Sequence, residues 1–480
     1  MHRRAFLSLT GAAAVASHLR AAQSAPADDH VAAIAALVQA KMAEYHVPGV
    51  GLGLVHGDRL HVQGFGVTSL DDPRPITADT LFTIASISKT MTATAVMKLI
   101  ELGRLELHSP VQKFLPNFRV ADAAASAQVT PWHLLTHTPG WEGQLTTEDR
   151  GAEALSHFAT SIMPTLPQLA APGETWSYNN AGFALSGRLI ESVTGHPIHD
   201  ALRDLVFAPF GLTRTFTRLT DVLTYPTTLG HREREGKTEV IRPFQTTSST
   251  TAGGVVTSVA DLMRYARFHL GDGTGAAGTP YLSRPRLAQM QMEQVPKHGT
   301  DDHMGLGWHV RRLGGTSTLA HGGTLNGHCL LAELVPAHGL AFVVLTNHVD
   351  GWRLVQDVEQ EILRRIAGVG LAPGQRIGHR GVNEAMSLHS TPLPAQPDLD
   401  AYVGRYLRPP VGEAVVRRDG SRLMVGTGAG QPDAGKVFYG PDVAYAVSGA
   451  YTGMPYEFVR DATGAIRWLR VNGRIARRAA

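Results

Sequence analysis

The chain has 480 residues, 43% of them hydrophobic, enough to bury a large core and to build two or three domains. Its formal charge of +3 resides in Arg3, Arg4 and Arg20, because after the first 24 residues basic and acidic side chains balance at 41 each. That balance leaves no electrostatic footprint for a nucleic-acid partner, and a globular enzyme is the default expectation.

Residues 1–25 read as an export signal. Arg3-Arg4 stands ahead of the apolar run 5–16, small residues continue to Ala25, and the arginine pair favours the twin-arginine route. Cleavage is expected between Ala21 and Ala25, which would place the mature protein in the periplasm or outside the cell. No later stretch reaches the roughly 20 apolar residues that span a bilayer. Cys329 is the only cysteine, so no internal disulfide can form, and its apolar setting Cys329-Leu330-Leu331-Ala332 reads as a buried structural thiol. Of the 23 histidines, His133 and His137 are four apart but flank a Leu-Leu-Thr turn, so neither a metal nor another cofactor is expected.

Beyond the signal, Val31, Ile34, Leu37, Val38, Met42 and Tyr45 recur at helical spacing up to Pro48-Gly49. Two β-rich runs, 50–55 and 60–67, are joined by a turn at His56-Gly57-Asp58-Arg59. A helix is predicted from near Ser86 to Gly103. From 123 to 290, helical runs alternate with loops, including a helix capped by Ser258 and running through Leu270. Strand pattern returns at 318–320, 328–335 and 340–347, before a helix over 355–366. Residues 371–398 have linker composition, with Pro392, Pro394 and Pro397 close together. The last segment, 399–480, reads as short strands forming a small antiparallel β-barrel or sandwich.

Three short constellations carry chemistry. Ser86 and Lys89 are three apart, hence on one helix face. A serine hydroxyl needs a base within reach, and a lysine with its usual pKa of about 10.4 serves only if desolvation or nearby positive charge frees the amine. Tyr178-Asn179-Asn180 precedes the helical run 181–193, and His321-Gly322-Gly323 opens a hairpin of two β-rich stretches.

In this order the three constellations resemble the serine β-lactamase and penicillin-binding-protein superfamily, most closely its class C-like branch with its esterases and D-aminopeptidases. Leu134-Leu135-Thr136-His137-Thr138-Pro139-Gly140, Ala252-Gly253-Gly254-Val255 and Gly305-Leu306-Gly307-Trp308 support the likeness, which covers roughly residues 30–370. The resemblance implies an α/β (α+β) fold, with an antiparallel sheet flanked by helices and a mostly helical subdomain over 28–370. The β-rich tail is similar to the lipocalin-like tails of some exported members. Implied roles are Ser86 as nucleophile and Lys89 with Tyr178 as joint general base and acid, either of which could be the base. The backbone N–H groups of Ser86 and Thr324 would form an oxyanion hole, with Gly323 allowing close approach of the substrate. Asn180 would bond Lys89 and the acyl side chain, and Gln144 would line the acyl pocket. One departure stands out: His321-Gly322 replaces the lysine and threonine that usually hold a substrate carboxylate. A histidine near its ordinary pKa of about 6.5 is a weaker, pH-dependent anion partner. The expected function is an exported serine hydrolase acting on a small-molecule or peptide ester, amide or β-lactam. The rival is a penicillin- or peptidoglycan-peptide-binding protein with little turnover.

Overall fold

A computed structural model describes residues 26–144, 151–271, 273–297, 302–372, 375–378, 386–389, 391–427, 434–447 and 453–479. The export signal read in residues 1–25 lies outside them. Helix α1 (Pro26–Tyr45) leads into the hairpin β1 (Gly49–His56) and β2 (Arg59–Gly66). Helices α2 (Ser88–Glu101), α3 (Asn180–Thr194) and α4 (Val259–Leu270) follow. The chain then returns to the sheet through β3 (Val295–Pro296), β4 (His303–Met304), β5 (His309–Leu313), β6 (Thr316–Leu325), β7 (His328–Val335) and β8 (Leu340–Thr346), and leaves it on α5 (Trp352–Ile366).

The sheet order is β2-β1-β8-β7-β6-β5-β4-β3, antiparallel throughout. Residue alternation in β1 explains how the sheet is sandwiched. Val50, Leu52 and Leu54 point to one face and share a core with Ile34 and Val38 of α1 and Leu354, Val355 and Val358 of α5. Gly51 and Gly53 point to the other face, where α4 lies so close that a Cβ on Gly51 would stand 2.6 Å from Val259 Cγ2 and one on Gly53 2.5 Å from Met263 Cγ. Hairpin β6–β7 turns on Asn326-Gly327, both at positive φ, the pair favoured in a two-residue turn. That turn sets Gly323 opposite Leu330 and Thr324 opposite Cys329, which is buried.

The region between α2 and β3 is less uniformly helical than its sequence suggests. It contains a hairpin of Gly230–Arg234 with Lys237–Ile241, turned by Glu235-Gly236 at positive φ. A short strand, Val256–Ser258, also lies between Leu81–Thr83 and Thr215–Phe216. Within the stretch of linker composition, Gln375–Gly378 pairs antiparallel with Met386–His389, ahead of the proline cluster.

The tail is a closed barrel of eight strands: β9 (Gly404–Arg408), β10 (Gly412–Asp419), β11 (Arg422–Thr427), β12 (Ala434–Gly440), β13 (Val443–Ala446), β14 (Pro455–Arg460), β15 (Ile466–Val471) and β16 (Arg474–Arg478). Pairing of Tyr406 with Arg478 and Leu407 with Arg477 closes it and rules out a sandwich. The barrel is docked on the body. Val459, Trp468 and Ile475 pack on Leu169 and Ala170, Trp468 Nε1 donates to Leu169 O at 2.9 Å, and Arg408 grips buried Glu142 with two bonds. Among the described residues, no helix is long and apolar enough to cross a membrane.

Candidate active site

Ser86 lies in a single tight helical turn, Ala85–Ile87, and α2 itself begins two residues after it. Ala85 holds φ of +47°, a conformation costly for any residue with a Cβ. The turn is pinned from two sides. Ser88 Oγ donates to Ala85 O at 2.6 Å and accepts from Val255 N–H at 3.0 Å, while β6 presses in through Gly323, where a Cβ would stand 2.6 Å from Ile84 O. The glycine thus lets the third constellation reach the first.

Lys89 is completely buried. Its Nζ stands 3.0 Å from Ser86 Oγ, donates to Ala252 O, and lies 4.9 Å and 5.6 Å from the ring centres of Tyr178 and Phe183. Burial first, and the charge of Arg474 second, hold its pKa well below the ordinary lysine value. The desolvation that a lysine base requires is therefore built in. Gly307 supports this helix turn, since a Cβ there would stand 2.6 Å from Ala93 Cβ and 3.3 Å from Lys89 O.

Tyr178, also buried, donates its hydroxyl to Ser86 Oγ at 2.8 Å. Its ring lies 4.6 Å from that of His137, whose Nδ1 accepts from Asn179 N–H at 3.0 Å. Burial, with Lys89 nearby, drives the pKa of His137 well down, so this ring is a neutral platform. Asn179 caps α3 by accepting from Gly182 N–H at 2.8 Å, and its amide donates to Trp141 O at 2.8 Å. The cap and the histidine together fix the backbone just after Tyr178.

The structure therefore brings Ser86, Lys89 and Tyr178 into mutual contact, with Gly323 against the same turn. Asn180 is the half-buried first residue of α3, and its N–H donates to Gly143 O at 2.9 Å. The expected bond between Asn180 and Lys89 is not formed; Lys89 Nζ donates instead to Ser86 Oγ and Ala252 O. Thr324 lies just beyond Gly323 and is exposed. Gln144 is exposed too, on the rim of a cavity of about 410 Å³ shared with the barrel.

His321 differs from its expected behaviour. It is wholly buried, donates from Nδ1 to Gly322 O at 2.7 Å, and faces His309 at 4.9 Å. Burial, reinforced by Lys89, lowers its pKa to about 3. At neutral pH it is an uncharged ring and not the pH-dependent anion partner that an ordinary pKa implied.

The barrel reaches the site as well. Gly473 O accepts from Tyr178 N–H at 2.8 Å, and Ser177 Oγ accepts from Ile475 N–H at 3.2 Å. Arg470 is buried. Its Nη2 donates to Trp176 O at 2.9 Å and Thr175 Oγ1 at 3.2 Å, and its Nη1 to Glu457 Oε2 at 2.5 Å. The Arg474 guanidinium lies 5.4 Å from the Tyr178 ring centre. Sequence reasoning missed all of these. Asn472-Gly473 between β-rich runs does signal a hairpin tip, but nothing local tells where the tip lands.

The chain matches the Beta-lactamase family over residues 34–364. Penicillin-binding protein 4 of Amycolatopsis lactamdurans is 33% identical over 68% of this chain and 87% of its own length. Esterase EstB of Burkholderia gladioli is 36% identical over 35% of this chain, which spans 46% of that protein. The crystal structure of SurE shares the fold over 94% of this chain and 100% of its own, with a TM-score of 0.77 at 24% identity. By the extent of the family match and the identity to the penicillin-binding protein, this chain belongs to the Beta-lactamase family of serine hydrolases.

Proposed function

We propose that the protein is an exported serine hydrolase that opens an ester, amide or β-lactam bond through an acyl-enzyme on Ser86. The observation that carries this reading is the placement of one alcohol oxygen, Ser86 Oγ, 3.0 Å from a fully buried lysine amine and 2.8 Å from a buried phenol. Burial lowers the pKa of Lys89, which makes its free amine easier to reach. As Ser86 Oγ bonds to the substrate carbonyl carbon, Lys89 takes the hydroxyl proton. The backbone N–H groups of Ser86 and Thr324 meet the developing oxyanion. When the intermediate collapses, the bond to the leaving group breaks and that group takes a proton from Tyr178, which regains one from the Lys89 ammonium. Water then attacks the acyl carbon, giving up its proton along the same path, and the free acid and Ser86 are restored.

A neutral His321 beside Gly322 offers a substrate carboxylate neither a charge nor a hydroxyl, which favours esters, amides and amino-terminal D-peptides over carboxylate-bearing substrates. The relative named as an esterase agrees with this preference. Export is supported by Arg3-Arg4 and the apolar run after it. The test sets p-nitrophenyl esters, nitrocefin and D-amino-acid anilides side by side, with a serine-reactive phosphonate as label. Turnover and labelling should both vanish in Ser86→Ala; full activity of that variant on every substrate the parent cleaves would overturn the proposal.

A further inference from the structure

The cavity of about 410 Å³ beside Gln144 is the mouth of the barrel: Met454, Tyr456, Leu469, Val471, Ala414 and Ala476 form an apolar wall, and Gln144, Arg408, Glu413, Asn472 and Arg474 line the polar side. All six residues of the apolar wall belong to the barrel core or pack directly against it. Two of the charged groups at the rim are committed to partners. Arg408 binds both oxygens of Glu142 at 2.7 and 2.9 Å, and Glu413 receives two bonds from Arg405 at 2.7 and 3.0 Å. What this cavity offers a ligand is therefore an apolar wall facing a polar side that includes Arg474, at a volume typical of small-molecule sites.

Its position ties it to the chemistry. Arg474 and Asn472, which line it, flank Gly473, whose carbonyl accepts from the Tyr178 N–H at 2.8 Å. On the other side of the rim, Gln144 follows Gly143, where a Cβ would stand 2.7 Å from Tyr178 O. Both edges of the opening thus touch the backbone of the residue whose hydroxyl contacts Ser86 Oγ. The cavity and Ser86 Oγ therefore share Tyr178 as a neighbour, one through its backbone and the other through its hydroxyl.

We propose that the barrel mouth is a substrate subsite that seats an uncharged apolar chain attached to the scissile group, so that the tail of the protein selects the substrate. This rests on the hydrolase reading above. The chain could belong to the acyl half or to the leaving group, and two ester series separate these. One is p-nitrophenyl esters with acyl chains of increasing length, and the other is acetate esters of alcohols of increasing length. In one of the series kcat/KM should rise about fourfold for each methylene seated, until the cavity is full.

Two variants narrow the cavity, Ala476→Phe in its wall and Val411→Trp at its lip. Val411 is 52% exposed, so a tryptophan there leaves the barrel core untouched. The readout is the ratio of kcat/KM for the eight-carbon and two-carbon members, which should be large in the parent and close to one in the variants. A parent that cleaves short esters with no gain in either series, or variants that keep the parent's ratio, would remove the subsite and leave the hydrolase standing. Absence of turnover and of phosphonate labelling throughout would remove both.

Discussion

The candidate site has two walls, and they are held in different ways. Ser86 and Lys89 stand on a wall that the body builds alone: the turn at Ala85 is clamped by Val255, Ser88 and Gly323, and the lysine is fixed by Ala252. Tyr178 stands on the loop from Thr175 to Asn179, and that loop is gripped from outside by Arg470, Gly473 and Ile475 of the barrel. The difference teaches that nucleophile and lysine can be set correctly while the phenol is not, so the two walls should fail differently when mutated.

The largest effect belongs to the first wall. Ser86→Ala and Lys89→Met should each lower kcat/KM by about four orders of magnitude or more. Stability should move the other way for the lysine. Its folded pKa lies below its unfolded value, so at pH 7, below the unfolded value, the unfolded chain carries the proton more favourably than the folded one, and this costs stability. Lys89→Met removes the cost, and thermal melting at pH 7 should show an unchanged or raised midpoint. A clearly lower midpoint would mean that the lysine is a structural element of its wall.

The second wall gives the next effect. Arg470→Met strands the Glu457 carboxylate in the interior, at a cost of about 3–5 kcal/mol in denaturant unfolding. It also removes two bonds to the loop before Tyr178. A displacement of about 1 Å there would lower kcat by about 100-fold. The double variant Arg470→Met with Glu457→Leu separates the two consequences, since it restores an apolar interior without restoring the grip. It should recover most of the stability and little of the kcat. Recovery of both would show that the barrel matters only as ballast.

How much of this the sequence disclosed follows the same division. Ser86 and Lys89 meet because three residues make nearly one helical turn, a relation that any local reading can see. The Gly51 and Gly53 alternation in β1 and the Asn326-Gly327 turn are equally local, and both could have been read as a close helix approach and a fixed hairpin. The Tyr178 loop was legible as a residue pattern, yet its holder lies about 300 positions away, and no spacing rule relates Arg470 to Trp176. His321 was legible as a position but not as a charge state, because its pKa depends on burial by the whole sheet. The Asn180–Lys89 bond that the pattern implies is not formed, and Lys89 bonds instead to Ala252 O, 163 positions along the chain. The sequence patterns therefore identify which groups react, and folding over long separations decides how they are poised.

Acid distinguishes the body from the barrel by a few kcal/mol. In the body, burial lowers the pKa of His269 and His321 to about 3 and that of His328 to about 4. Against an ordinary 6.5, the unfolded chain binds the extra protons, so stability falls as pH drops from 6.5 toward those values. Each such histidine contributes about 1.4 kcal/mol per pH unit within that window. Residues 399–480 contain no histidine; raised carboxyl pKa values act in the opposite sense, at Glu457 in the barrel and at Glu191, Asp261 and Glu333 in the body, where the buried histidines outnumber them. Hydrogen exchange followed by peptide at pH 7 and pH 5 should therefore show loss of protection around α4 and β6 and little change in the barrel core. His269→Phe should reduce the loss. Equal loss in both regions would contradict this.

The smallest effect is the one that joins the two walls electrostatically. Of the causes that depress the Lys89 pKa, burial is the larger and belongs to the body, while the charge of Arg474 belongs to the barrel. His137 and His321 also face the lysine, but burial keeps both neutral, so neither changes the balance near pH 7. If Lys89 is the base, kcat/KM climbs as pH rises through its pKa. Arg474→Gln removes a positive charge that disfavours the ammonium, so the pKa rises and the acid limb of the profile moves to higher pH, with the alkaline plateau preserved. Arg474→Lys should leave the limb where it was. Arg470→Met should do the reverse of Arg474→Gln, lowering the plateau without moving the limb, because it changes position and not charge beside the lysine. Two arginines four residues apart on one hairpin would then be separated by the shape of a single pH profile. A limb that stays fixed in Arg474→Gln would mean that the barrel acts on the Ser86 wall through geometry alone.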